Sequence, residues 1–366
     1  MSTKDIIQSE ALIEVLKYRR SGVAITMRGG KTRLAIQHFV KKYHQFIEVL
    51  VVIPKLSVVQ SWTDELIILG LDDLKKHIKF CTYLSLHKEN PNDYDIVYLD
   101  ECHSLLETHN EFLSNFKGEI LGLTGTPPVR KGTTKYNMVQ KYCPIVYTLT
   151  VDDATDRKII NNYQIVIHQL ELSKLNTVKK KKKDGTFWFT SELKDYNYIT
   201  QRLEDAISGF EKQKFSIIRM KSMMDYKTKE DYTKDMLKNT KGKCIVFANT
   251  QIQAEKMCKH SYHAKNPLSK DNLQLFKDGR INQLSCVLQL SEGVTIHNLK
   301  LSIIMHAYGN ERKTPQRLGR ILGLNPSETA ICHILCYKNT VDEKWIAAAL
   351  KGFNPSKVTY FNPLIN

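Results

Sequence analysis

Two short segments of the 366-residue chain combine residue types that do phosphate chemistry. Met27-Arg28-Gly29-Gly30-Lys31-Thr32 follows an apolar run and opens a stretch of helical character. Paired glycines let backbone N–H groups approach a phosphate, and a helix N-terminus favours negative charge. Lys31 can then reach the β- and γ-phosphates of a nucleotide and Thr32 can ligate Mg²⁺. The first glycine of the G-x-x-x-x-G-K-T pattern is missing, because Ile25 stands there, so a plain surface Gly-Gly turn competes with this reading. The second segment, Asp100-Glu101-Cys102-His103, ends the apolar run Ile96-Val97-Tyr98-Leu99. Adjacent acids at the end of a buried strand are costly without a partner. A metal-bound nucleotide supplies one: Asp100 holds the ion, usually through water, and Glu101 orients and deprotonates the attacking water. The competing reading is an ordinary exposed acidic turn, which the upstream loop disfavours.

The elements that must position these groups alternate in type. Short β-rich runs at 23–26, 49–53, 78–82, 96–99, 120–123 and 145–149 are separated by helical stretches such as 31–43 and 58–69. That pattern predicts a parallel α/β sheet, with active groups at the carboxyl ends of its strands. A second series at 163–172, 244–248, 284–289, 301–306 and 331–337 predicts a second α/β lobe. The expected division is 1–150 and 151–366, the latter interrupted by an insertion at about 173–240. Within the insertion, Lys179 to Lys183, Asp184-Gly185 and Phe187-Trp188-Phe189 predict a projecting basic and aromatic hairpin. The remainder, with Met220, Met223 and Met224, is helical and polar.

Composition narrows the class of protein. An apolar fraction of 42% and a charged fraction of 25% suit folded domains rather than a disordered chain. The excess of 54 Lys and Arg over 38 Asp and Glu points to a polyanionic partner. It is concentrated in 241–366, which holds 17 basic against 8 acidic residues. No apolar run approaches the roughly 20 residues that span a bilayer. Residues 1–10 lack an export pattern, so a cytoplasmic protein without a membrane partner is expected. Eight cysteines scattered through apolar segments suit reduced thiols packed as small hydrophobes. Cys258, His260 and His263 have no second Cys pair at zinc-finger spacing.

Taken in order, the motifs resemble those of superfamily-two DExH helicases. Met27–Thr32 resembles motif I in its shortened form, Asp100–His103 motif II, and Leu123-Thr124-Gly125-Thr126-Pro127-Pro128 motif III. Val52-Ile53-Pro54-Lys55 with Trp62 resembles motif Ia, and Thr82-Tyr83-Leu84-Ser85-Leu86 motif Ib. Gln8 resembles the upstream glutamine that reads adenine. Further on, Cys244–Thr250 resembles motif IV, Ser291–Ile296 motif V and Gln316-Arg317-Leu318-Gly319-Arg320 motif VI. A narrower likeness is to compact phage UvsW-like or bacterial RadD-like helicases.

The resemblance implies two tandem RecA-like lobes with ATP and Mg²⁺ in the cleft between them. Gln8, Arg28, Gly29, Gly30, Lys31, Thr32, Asp100 and Gly293 would hold the nucleotide and its metal. Lys31, Glu101, Gln316, Arg317 and Arg320 would carry the catalysis, with Arg320 the leading arginine finger. His103, Thr124 and Thr126 would couple hydrolysis to movement. Pro54, Lys55, Ser85, Asn249 and Thr250 would contact a nucleic-acid backbone, joined by Lys181 and Trp188 of the hairpin. Two departures stand out: Gly323 replaces a further motif VI arginine, and Thr295 replaces a motif V aspartate. The shortened motif I, the Trp62 context and motif III lean toward duplex or branched DNA in replication, recombination or repair. The expected protein is a monomer, with replication or recombination proteins as further partners. An RNA-dependent ATPase and a catalytically idle nucleic-acid clamp stay open as alternatives, the second disfavoured by the intact set of catalytic residue types.

Overall fold

The computed structural model describes residues 3–182, 184–287, 296, 299–307, 317–319, 321–323 and 325–363. Strands β1 (Arg20–Ile25), β2 (Val49–Ile53), β3 (Ile78–Thr82), β4 (Ile96–Asp100), β5 (Glu119–Thr124) and β6 (Ile145–Leu149) form a sheet. Their order is β3-β2-β4-β5-β1-β6, and every pair runs parallel. β2 and β4 are buried along their whole length, as strands covered on both faces must be. Helices Lys31–Lys42 and Val59–Ile68 turn Leu34, Ile36, Phe39, Trp62 and Leu66 inward. Leu50, Val52, Leu99, Phe112, Phe116 and Tyr142 belong to one continuous core cluster.

The strand order decides where the chemistry sits. β5 lies between β4 and β1, with Asp100 opposite Leu123 and Ala24 opposite Thr124. The carboxyl ends of β1, β4 and β5 therefore stand side by side and deliver all three of their loops to one edge.

The second unit contains β7 (Asn162–Leu170), an antiparallel hairpin of β8 (Val178–Lys181) and β9 (Phe187–Thr190), then β10 (Cys244–Phe247), β11 (Ser261–Tyr262), β12 (Gln283–Cys286), β13 (Leu301–Ile304), β14 (Thr329–Tyr337) and β15 (Val358–Phe361). Its sheet has the order β11-β12-β10-β13-β14-β7-β15. The hairpin expected around Asp184-Gly185 is present, and Gly185 takes the positive φ of 87° that its turn needs. Helices Glu192–Glu204, Gly209–Asp225 and Lys227–Asn239 follow, the first two capped by Ser191 and Ser208. Met223 is buried in the core of this unit, in keeping with a packing role.

The boundary between the units lies at Asn162, twelve residues beyond the expected 150. Thr150 caps a short helix, Val151–Asp156, and Ala154, Ile159 and Ile160 are buried, so this stretch completes the first unit. Leu322–Glu328 also packs with the first unit. Asn161 and Gly323 exchange hydrogen bonds there: Asn161 N–H donates to the Gly323 carbonyl at 3.1 Å, and Gly323 N–H to Asn161 Oδ1 at 2.7 Å. No helix among the described residues is long and apolar enough to cross a membrane. All eight cysteines are buried free thiols.

Candidate active site

The loop after β1 is shaped by backbone that few residues tolerate. Arg28 has φ 63° and Gly30 φ 90°, and the helix Lys31–Lys42 starts directly after Gly30. A side chain on Gly30 would collide with the Gln8 amide nitrogen, which donates to the Gly29 carbonyl at 3.4 Å. Gln8 is thereby fixed against the loop. Lys4 also lies against Gly30; burial lowers the pKa of its ammonium, with nearby Glu65 pulling the other way. The sequence carried no sign of Lys4's place.

Lys31 folds back over this loop. Its ammonium donates to the Ile25 carbonyl at 3.3 Å and stands 3.8 Å from Glu101 Oε1. Glu101 itself adopts φ 53°, ψ 53°, a left-handed conformation that costs a non-glycine residue roughly 1–2 kcal/mol. That turn sends its carboxylate away from the line of β4 and toward Lys31, the kind of local strain that accumulates at working sites.

The two neighbouring acids have opposite electrostatics. Burial first, then the charge of Glu101, pushes the Asp100 carboxyl above the ordinary aspartate range. For Glu101 burial acts upward too, but Lys31 and the hydrogen bond from His103 outweigh it and hold the group well below the usual range. Glu101 is thus the more strongly acidic member of the pair. Asp100 is kept in place from two sides: buried Trp62 donates its indole N–H to Oδ2 at 3.1 Å, and the Tyr83 hydroxyl donates to its backbone carbonyl at 2.8 Å. Sequence reading placed Trp62 and Tyr83 inside motifs without giving either a task.

A hydrogen-bond relay leads from Glu101 into the loop after β5. His103 Nδ1 lies 3.2 Å from Glu101 Oε2 and 2.8 Å from Thr124 Oγ1, and Thr126 N–H donates to the same hydroxyl at 3.1 Å. His103 and Thr124 therefore both meet the acid, and Thr126 joins them through the Thr124 hydroxyl.

Other expected site residues are spread more widely. Pro54 and exposed Lys55 follow β2, and Ser85 follows β3, all at carboxyl ends of the first sheet. Ser85 Oγ, however, is turned onto Thr82, closing the local turn. Asn249 and Thr250 follow β10, where Thr250 caps the next helix by accepting from Gln253 N–H at 3.1 Å. Arg317 is buried within the second unit, donating to the His306 carbonyl at 3.1 Å with its guanidinium over the Phe247 ring. Gly293, Thr295, Gln316 and Arg320 lie outside the described residues.

A Gly-Gly-Lys-Thr loop and an Asp-Glu pair at the carboxyl ends of parallel strands flanking β5, followed by a second α/β unit, define a two-lobed RecA-like nucleotide hydrolase. Comparison with known proteins carries the assignment further. The family described as the type III restriction enzyme res subunit matches residues 4–129, and the helicase conserved C-terminal domain matches residues 228–323. A relative from Sulfurisphaera tokodaii named DNA 3'-5' translocase XPB2 is 27% identical over 372 residues, spanning 92% of this chain and 82% of its own. Among solved structures, the helicase domain of Pyrococcus furiosus Hef superposes with TM-score 0.51 at 14% identity, covering 94% of this chain and 97% of that one. The ATP-dependent type ISP restriction-modification enzyme LlaBIII, solved bound to DNA, superposes with TM-score 0.63 at 14% identity over 97% of this chain. This chain spans 31% of the length of that enzyme. The two family matches and the translocase relative together support a superfamily-two helicase or translocase.

Proposed function

We infer that the chain hydrolyses ATP and uses the turnover to move along DNA, duplex or branched, in replication, recombination or repair. The observation that carries this reading is the Lys31 ammonium 3.8 Å from a Glu101 carboxylate that is itself wired through His103 to Thr124. Such a site gains or loses its lysine–glutamate contact with the γ-phosphate, and the relay passes the change to the loop after β5. The name of the Sulfurisphaera relative supports DNA as the track.

In this reading Gln8 holds adenine, and Arg28, Gly29, Gly30 and Lys31 surround the phosphates. The oxygen donors of Thr32 and Asp100 suit Mg²⁺, and a cation there would relieve the burial that pushes up the Asp100 carboxyl. Bound Mg²⁺ neutralises charge on the β- and γ-phosphate oxygens. Glu101 orients the attacking water and takes its proton. The family resemblance assigns nucleotide and catalytic roles to Gly293, Gln316 and Arg320, with Arg320 the leading candidate to stabilise transition-state charge and Arg317 the second. Pro54, Lys55, Ser85, Asn249 and Thr250 follow the phosphate backbone, giving salt-dependent and sequence-tolerant binding. A polypeptide of this type works where nucleic acid is, in the cytoplasm.

The test is ATP turnover by the purified chain with duplex DNA, forked DNA, single-stranded DNA and RNA. Stimulation by DNA supports the reading, and preferential stimulation by RNA replaces it with an RNA-dependent ATPase. Nucleic-acid binding with no turnover would identify a clamp.

A further inference from the structure

We propose that the outer face of the β8–β9 hairpin is a docking surface for an unpaired, extended nucleic-acid strand, with Phe187 and Phe189 as base-stacking platforms and Lys179 and Lys181 as phosphate partners. The proposal rests on the DNA-motor reading for the source of that strand, and on the hairpin itself for its chemistry.

Cross-strand register sorts the hairpin's side chains into two faces. Lys179 pairs with Phe189 and Lys181 with Phe187, while Val178 pairs with Thr190 and Lys180 with Trp188. Side chains directly opposite one another share a face, and successive residues alternate. Lys180 is directed toward the helical insertion: its ammonium is 2.7 Å from the Asp195 carboxylate and 3.4 Å from Ser222 Oγ. Asp195 is buried and also accepts from the Tyr226 hydroxyl at 3.0 Å, so the hairpin is pinned to Glu192–Glu204 by a held carboxylate. The opposite face is left with Lys179, Lys181, Phe187 and Phe189. Phe187 is 53% and Phe189 57% exposed, leaving apolar ring surface open to solvent. Trp188, expected from sequence to be the stacking residue beside Lys181, shares the pinned face of Lys180 instead.

The composition of the outer face selects its occupant. A row of ammonium groups on β8 beside a row of aromatic rings on β9 matches a phosphate backbone running beside its bases. Two rings separated by one intervening residue on a strand stand about 7 Å apart. That is twice the ~3.4 Å rise per nucleotide of a stacked strand. The face therefore suits bases drawn out of stacking, and a duplex offers no such base faces except at its ends. The Lys179 ammonium presently sits 3.9 Å from the Phe187 ring centroid. An exposed cation–π contact is weaker than base–aromatic stacking, so a base displaces the ammonium and frees it for a phosphate.

The full chain would be titrated against fluorescently labelled oligothymidine and a blunt duplex of equal length, with DNA-stimulated ATP turnover measured on the same preparations. Phe187→Ala/Phe189→Ala is expected to weaken oligothymidine binding by roughly 5- to 150-fold for each base stack lost, with duplex binding unchanged. Phe187→Tyr/Phe189→Tyr, which keeps the rings, is expected to restore it. Lys179→Gln/Lys181→Gln is expected to reduce the slope of log affinity against log salt by about 1.4, the value for two single-strand phosphates. Oligothymidine affinity unchanged in the double alanine variant, or duplex binding lost equally, overturns the hairpin site even if DNA still stimulates turnover. Selective loss of oligothymidine binding in a chain whose turnover ignores DNA supports the site while refuting the motor.

Discussion

Replacing Trp62 by Phe removes one hydrogen bond from Asp100, the acid proposed to hold Mg²⁺, and keeps most of the packing. The indole N–H donates to Asp100 Oδ2 at 3.1 Å in a buried setting. Hydrogen bonds to charged groups contribute about 1.5–3 kcal/mol. At about 1.4 kcal/mol per tenfold change, this amounts to roughly a 10- to 100-fold loss in preference for the ionised carboxylate. Burial and Glu101 already push the Asp100 carboxyl upward, and losing the Trp62 donor pushes it further in the same direction. Asp100 must be ionised to hold Mg²⁺, so at pH 7 Trp62→Phe should need roughly 2- to 10-fold more Mg²⁺ for half-maximal ATP turnover, with the acid limb of turnover displaced to higher pH. The assay is turnover at fixed ATP across Mg²⁺ concentration and pH, below the unfolding transition. Trp62 also packs edgewise on Phe80 and at a tilt on Tyr98, and Phe80→Leu serves as the packing control. An unchanged Mg²⁺ requirement in Trp62→Phe, or an equal rise in Phe80→Leu, refutes the argument.

Lys31→Ala is expected to lower ATP turnover by about 100-fold or more through loss of a charge aimed at the phosphates. Glu101→Gln should reduce turnover by a similar factor while nucleotide binding persists, because only proton removal is lost; wild-type rates in either variant contradict the roles assigned. Thr124→Val keeps the buried volume but removes the hydroxyl shared by His103 and Thr126, so DNA stimulation should fall more than basal turnover, and parallel loss of both would indicate a structural role. In the second unit, His168 Nε2 lies 2.8 Å from His333 Nδ1, and burial, reinforced at His168 by the charge of His333, lowers both groups to about 4. Each folded value is below the unfolded 6.5, so the unfolded chain binds more protons between them. Stability therefore falls as pH drops from 6.5 toward 4, by up to ~1.4 kcal/mol per pH unit for each histidine. A denaturation midpoint that stays constant from pH 7 to 5 would rule out a neutral buried pair.

Buried β2 was legible as an unbroken apolar run, and the boundaries of the partly exposed edge strands β3 and β6 agree with the sequence expectation at both ends as well. Motifs I, II and III were legible for a related reason, since each occupies the few residues just beyond such a run. Contacts between distant residues were not. The Trp62–Asp100 bond joins side chains 38 positions apart, and nothing local to Trp62 distinguishes a hydrogen-bond donor from an ordinary core aromatic. The left-handed turn at Glu101 was equally hidden, because a glutamate gives no sign of positive φ as a glycine would. The unit boundary was set too early because Val151–Asp156 packs backward, and the return of Leu322–Glu328 to the first unit depends on a few hydrogen bonds to Asn161 and Asn162. Trp188 was the most conspicuous residue of the hairpin, yet pairing register, which composition cannot specify, placed the two phenylalanines on the open face.

Movement along DNA is tested most directly by displacement of a third strand from a triplex placed on a duplex, with ATP as the only energy source. The account predicts ATP-dependent displacement by the wild-type chain, none with Glu101→Gln, and none with a nonhydrolysable ATP analogue. Robust DNA-stimulated hydrolysis with no displacement on any duplex or branched substrate would contradict the claim that this site drives a motor.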